Sequence, residues 1–209
     1  MNQMAVLKTK RSSNKVPKSR KQILDAAAAL FSQHGFDATS LREIASAVNM
    51  KAGSLYYHFE SKEALILEVL NIGIENIHQN VQNRISSIPE NSPFSLILEE
   101  AIKGHLEALL EKGDYTSTNI RNYGQIPISI QKLSLDIRNS YEDLWRELLE
   151  EGARKGEIKP GVDLKILRLS LLGMLNRTIE WYHEGGLSVD EIAIDQARFF
   201  LVGISSESS

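Results

Sequence analysis

The chain has 209 residues, 42% of them apolar and 24% charged, which suits one or two globular domains and excludes a wholly disordered polyelectrolyte. No apolar run reaches the roughly 18–20 residues of a bilayer-spanning helix, and the lack of any cysteine excludes disulfides, thiolate metal sites and cysteine nucleophiles. Residues 1–62 hold ten Lys/Arg against four Asp/Glu (+6), leaving 14 against 23 in the remainder (−9), so the sequence predicts a cytoplasmic, membrane-free protein whose N-terminal part alone meets a polyanion.

Residues 1–17 are polar and basic, lack periodicity and end in Val16-Pro17, which reads as a flexible arm. Ser19 and Gln22 have capping-box spacing. Ile23, Ala27, Leu30 and Phe31 then share one helical face until His34-Gly35, where glycine can take the left-handed conformation that ends a helix. A second box, Ser40 with Glu43, opens a short helix with Leu41, Ile44, Ala45 and Val48 inward. Asn49-Met50 makes a turn, a third helix runs from about Ala52 to His58, and Ser61 caps a fourth bearing Leu65, Val69, Ile72 and Ile77.

After Pro89 and Pro93, the residues Phe94, Ile97, Leu98, Ile102, Leu106 and Leu109 repeat at helical spacing up to Gly113. A weaker segment holds Tyr115, Ile120 and Tyr123. Pro127 begins what the pattern predicts as one long helix, with Ile130, Leu133, Ile137, Tyr141, Leu144 and Leu148 on its stripe, and Gly152 to Gly161 reads as a turn. Asp163 caps a helix predicted to reach about His183, and Gly185-Gly186 breaks it. Ser188 with Glu191 opens the last helix through Ile192, Ile194, Ala197, Phe200 and Leu201, and 205–209 form a frayed tail. No alternating strand pattern occurs. The expected fold class is all-α, with a compact basic module over 18–64 and a larger helical part over 65–204.

The stretch from Thr39 to Lys62 carries the chemistry. Two short helices joined by a tight turn form a helix-turn-helix, whose second helix enters the major groove of DNA. Lys51-Ala52-Gly53-Ser54 supplies one cation and small residues where backbone must approach phosphate. Leu55 and Phe59, four apart, face inward, and three consecutive rings, Tyr56, Tyr57 and His58, cannot all be buried on so small a helix. The seven cations before Asp25 fit an arm that reaches the minor groove.

Thr39-Ser40-Leu41-Arg42-Glu43-Ile44-Ala45, Gly53-Ser54-Leu55-Tyr56-Tyr57-His58-Phe59 and Ser61-Lys62-Glu63-Ala64-Leu65 together resemble the DNA-binding domain of TetR-family transcriptional regulators, over about residues 19–65. The resemblance implies a homodimeric repressor that binds a palindromic double-stranded operator and is released by a small-molecule effector in the 65–204 domain, which also dimerises. It implies phosphate contacts for Thr39, Tyr57, His58 and Lys62, and a recognition face of Lys51, Ala52, Ser54 and Tyr56, with Arg42 toward the groove. Asn49-Met50-Lys51 stands where relatives often have Gly-Val-Ser. Asn tolerates the left-handed turn, and Lys51 is an added cation that bears on sequence preference.

The last two helices are apolar on more than one face: Leu167, Leu169, Leu171, Leu172, Met174 and Leu175, then Phe199, Phe200, Leu201 and Val202. That surplus predicts a second copy. Polar or aromatic residues amid apolar ones are the effector candidates: His105, Arg121, Tyr123, Asn176, Arg177, Trp181 and Tyr182. The segment Gly173 to Gly186, with Asn176 and Glu180-Trp181-Tyr182, is similar to the branch of the family that responds to acyl-CoA thioesters, which makes an acyl-CoA the sharpest effector expectation. A tilt of the fourth helix, eased at Gly73, is the expected coupling.

An enzyme is not expected. The five histidines (His34, His58, His78, His105, His183) are isolated, without a HExxH, phosphate-loop or serine-elbow motif, and no metal or cofactor is expected. The competing reading is a regulator that binds DNA constitutively or answers to a protein partner.

Overall fold

The computed structural model describes residues 18–111 and 113–204, without the side chains of Lys18 and Ser19. The predicted arm, the Ser19 half of the first capping box and the predicted tail lie outside the described residues. The described residues form α1 (Lys18–His34), α2 (Leu41–Ala47), α3 (Ala52–Leu55), α4 (Lys62–Ser86), α5 (Phe94–Leu110), α6 (Asp114–Asn122), α7 (Ile128–Leu133), α8 (Leu135–Arg154), α9 (Leu164–Arg177), a 3-10 turn at Thr178–Glu180 and α10 (Val189–Ile204), and they contain no strand. None of these helices is long and apolar enough to cross a membrane.

Two apolar cores share α4. Ile23, Ala27 and Phe31 of α1 pack with Ile44, Leu55, Phe59 and the first turns of α4 (Leu65, Ile66, Val69, Leu70). Ile126 and Ile130, more than 50 residues further along the chain, belong to this same core. The second core gathers Ile74, Ile77 and Val81 from the rest of α4 with Leu98, Ile102 and Leu106 of α5, Trp145 and Leu149 of α8, Leu171 and Leu175 of α9, and Ile192 and Ala197 of α10. A 25-residue helix that serves both cores makes the two parts mechanically continuous.

The caps expected at Ser40, Ser61, Asp163 and Ser188 are all made. Ser40 and Glu43 exchange both capping-box bonds (3.2 and 2.7 Å), and Ser188 and Glu191 do the same (3.2 and 2.8 Å). Ser61 Oγ accepts from Ala64 N, and Asp163 from Lys165 N and Ile166 N. Gly35 (φ +84°) and Asn49 (φ +56°) take the left-handed conformation that their turns require.

Four helix limits differ from expectation. Regular α3 stops at Leu55, and Tyr56 to His58 form a turn. The long helix from Pro127 is broken at the fully buried Ser134, whose hydroxyl donates back to the Gln131 carbonyl and competes with the helical ladder. α8 continues through Gly152 to Arg154, because Gly152 is buried face-on to Phe94: an added Cβ would lie 2.6 Å from the ring. α9 ends at Arg177 rather than near His183. Buried Thr178 donates to Met174 O and accepts from Gln196 Nε2 (2.9 Å), tightening the chain into the 3-10 turn.

Candidate nucleic-acid interface and effector cavity

The head presents a polar and aromatic surface around α3. The capping box sets the start of α2, where the two bonds to Ser40 hold the Glu43 carboxyl below its ordinary range. Left-handed Asn49 turns the chain, Met50 N bonds Ala45 O (2.8 Å), and α3 follows with Leu55 and Phe59 pointing into the core. This leaves Tyr57 90% exposed, with Tyr56, Lys51 and Arg42 exposed beside it and Ala52, Ser54 and His58 half-buried. Gly53 has no neighbouring atom within 4 Å of an added Cβ. Packing within the chain does not demand glycine there.

Two expected phosphate contacts have other employment. Thr39 is 2% exposed, and its hydroxyl donates to Gly35 O (2.8 Å) and Leu30 O (3.3 Å). Lys62 donates its ammonium to Phe36 O (2.7 Å) and Thr39 O (2.9 Å) and lies 4.2 Å over the Phe36 ring. Both side chains therefore fasten the loop between α1 and α2 instead of facing solvent. Arg20, counted among the arm's cations, forms a two-pronged ion pair with Glu68 and stacks on Phe59, fixing α1 to α4, and Lys21 pairs with Asp25 at 2.7 Å.

A cavity of about 480 Å³ lies between α4, α5, α6, α8 and α9. Of the expected effector residues, His105, Tyr123 and Asn176 line it. Arg121 instead donates to Ser32 O from the outer side of α6 (3.3 Å), Arg177 is exposed at the end of α9, Trp181 is 51% exposed, and Tyr182 packs against the second core. None of these four lines the cavity: Arg121 lies on the outer side of α6, Arg177 on the exposed side of α9, and Trp181 and Tyr182 follow the early end of α9.

The polar lining that sequence reasoning missed is Arg138, Tyr141, Asn119, Thr116 and Glu142. Arg138, Tyr141 and Trp145 stand at i, i+3, i+7, so an arginine heading an inward aromatic stripe was the available signal. The Arg138 guanidinium lies 3.6 Å from the Tyr123 ring centre and donates to Asn119 Oδ1 at 3.3 Å. Its Nε is buried without a partner among the described residues, and burial lowers its pKa from the ordinary arginine value. His105 shares Nδ1 with the Tyr141 hydroxyl at 2.7 Å, and burial holds the imidazole down to about 3, so it is neutral. The Tyr141 phenol is pushed up for the same reason.

α6 joins cavity and head. Thr116, Asn119, Ile120 and Tyr123 at its end and along one side face the cavity. From the other side, Asn122 Nδ2 donates to Phe31 O (3.0 Å) while Asn122 Oδ1 accepts from Phe36 N (2.8 Å). Thr118 donates to Ala28 O (3.0 Å), the hydroxyls of Ser117 and Ser32 lie 2.8 Å apart, and the Tyr115 hydroxyl reaches Asp25. Phe31 and Ser32 are in the last turn of α1, where Phe31 O also accepts from Gly35 N (3.0 Å), and the side chains of Asn122 and Arg121 add bonds to the carbonyls of this helix end. Toward α4, Asn119 Nδ2 donates to Leu70 O (2.7 Å) and Thr116 to Gly73 O (3.4 Å). Gly73 is thus a close-contact site: an added Cβ would lie 2.3 Å from Tyr115 O.

Residues 23–69 match the family model for bacterial regulatory proteins of the tetR family, and residues 97–204 match that of the tetracyclin repressor-like C-terminal domain. The chain is 27% identical over 192 residues to the HTH-type transcriptional repressor KstR2 of Rhodococcus jostii (strain RHA1), covering 90% of this chain and 91% of that protein. Its fold is similar to that of the ketosteroid transcriptional regulator KstR2 of Mycobacterium tuberculosis (TM-score 0.78, 22% identity, 92% of this chain and 98% of that one). It is also similar to AibR, solved in complex with isovaleryl coenzyme A and operator DNA (TM-score 0.76, 22% identity, 91% and 100%).

Proposed function

Because the chain belongs to the TetR family of bacterial transcriptional regulators, we propose that it is a homodimeric repressor whose hold on a palindromic operator is released when a small molecule, best matched by an acyl-CoA thioester, enters the α4–α9 cavity. The observation that carries this reading is the double role of α6, which walls the cavity and at the same time closes the end of α1 in the head. A ligand that favours a different seat for α6 must also shift α1 and α4, to which α6 is bonded, and only its unequal affinity for the two arrangements does the work.

On the DNA side, Lys51, Ala52, Ser54 and Tyr56 are the reading face, Arg42, Tyr57 and His58 touch the backbone or groove edge, and Thr39 and Lys62 hold the loop that sets α2. The exposed apolar side chains Ile166 of α9 and Phe199 and Val202 of α10 are the face for a second copy, so that two heads read two half-sites. A cavity of this volume suits an acyl group with its thioester, the remainder of the coenzyme lying outside. The repressor relative and the neighbour holding isovaleryl coenzyme A support this choice.

The test is selection of bound DNA from random fragments, followed by fluorescence anisotropy with the selected duplex. Lys51→Ala with Tyr56→Ala lowers affinity at least about tenfold with unchanged thermal stability. Short acyl-CoAs release the duplex while free coenzyme A does not. Binding that no acyl-CoA disturbs rejects the effector and leaves a constitutive or protein-controlled regulator.

A further inference from the structure

The cavity wall holds one arginine and one carboxylate, Arg138 and Glu142, and the carboxylate is engaged elsewhere: Arg168, which does not line the cavity, lies 3.4 Å from it and donates to the Glu142 backbone carbonyl at 3.3 Å. Among the described residues no carboxylate lies within ion-pair distance of Arg138, whose neighbours are the Asn119 amide and the Tyr123 ring. Arginine does not give up its proton in proteins, so this is a standing positive charge, largely removed from water, facing an open volume. Such a charge is costly unless an anion meets it. A second polar atom addresses the same space: His105 is 1% exposed, and its Nε2 is buried without a partner among the described residues. In the tautomer where the Tyr141 hydroxyl donates to Nδ1, Nε2 carries the proton and offers it to an acceptor, with the Asn176 side chain beside the ring. Ile74, Ile77 and Leu172 supply an apolar wall between.

We propose, on the premise that this cavity is the effector site, that the effector's acyl group carries a carboxylate of its own: the carboxylate pairs with Arg138, a further oxygen takes the Nε2 hydrogen of His105, and the carbon skeleton lies on Ile74, Ile77 and Leu172. The effector class is the half-thioester of a dicarboxylic acid. Two parallel N–H donors on the guanidinium match a carboxylate in a way that the single oxygen of a thioester does not.

The test uses full-length protein on its selected duplex and two pairs of probes, pentanoyl-CoA against glutaryl-CoA and hexanoyl-CoA against adipyl-CoA. Each pair differs in a terminal methyl against a carboxylate. In the wild type, half-release in at least one pair occurs at a concentration about tenfold or more lower for the carboxylated member. Arg138→Gln brings the ratio of the two members to about one, and Arg138→Lys keeps part of the preference. Circular dichroism melting and effector-free DNA affinity monitor the fold, and if Arg138→Gln unfolds, the wild-type preference alone decides. Equal release by both members of both pairs overturns the carboxylate while leaving an acyl-CoA effector standing. Equal weakening of both members by Arg138→Gln moves the anion to the coenzyme and also overturns it. Release by none of the four rejects the thioester reading as well.

Discussion

α6 and α9 invert the usual relation between polarity and burial. α6 reads DYTSTNIRN, and yet Thr116, Ser117, Thr118, Asn119 and Asn122 are all buried. α9 is rich in leucine and isoleucine, and yet Ile166 and Leu169 are exposed, as is Phe199 (75%) on neighbouring α10. The difference lies in what each helix meets. α6 inserts where α1 and α4 present backbone carbonyls, and its amides and hydroxyls answer them one by one. The exposed apolar side of α9 meets no part of its own chain. A buried polar helix is specified by bonds that cost dearly if left unmade, and an exposed apolar one by a partner yet to arrive.

The contrast breaks most severely at Asn122. Asn122→Ala strands the Phe36 N–H and removes the second donor to Phe31 O, which keeps Gly35 N, and the expected loss is about 3 kcal/mol in urea unfolding; a loss below about 1 kcal/mol would mean that water replaces the amide. Gly73→Ala comes next. Its methyl group collides with the Tyr115 carbonyl, so α6 must lift from α4 at a cost of about 2 kcal/mol, with a cavity of altered shape and a weaker response to effector. The smallest effect on the protomer belongs to Ile166→Ser with Phe199→Ser, within about 0.5 kcal/mol by urea unfolding at concentrations where the protein is monomeric. The same pair moves the sedimenting species from dimer toward monomer. A dimer that survives both changes would place the interface elsewhere.

The head was legible because its signals are local. Ser40 with Glu43, Ser61, Asn49 and the inward pair Leu55 and Phe59 each act within one or two turns of the chain, and each stands where the spacing put it. The cavity was half legible. His105, Tyr123 and Asn176 stand out as polar or aromatic residues among apolar ones, whereas Arg138 resembles any solvated helix charge until Tyr123 and Asn119 are brought beside it. Arg177 stands on the exposed side of α9, and Trp181 lies beyond a helix that ends too early to carry it inward.

Periodicity, caps and turn residues by themselves determined that the chain is helical, where most of its helices begin, and which short segment reads DNA, since these depend on neighbours a few residues apart. Only the tertiary structure decided that the polar segment 114–122 is buried, that Thr39 and Lys62 brace a loop, and that an arginine without a carboxylate faces a cavity. Apart from the short-range bonds of Thr39, those outcomes depend on which carbonyls, rings and charges arrive from 15 to 90 residues away, and no local spacing records them.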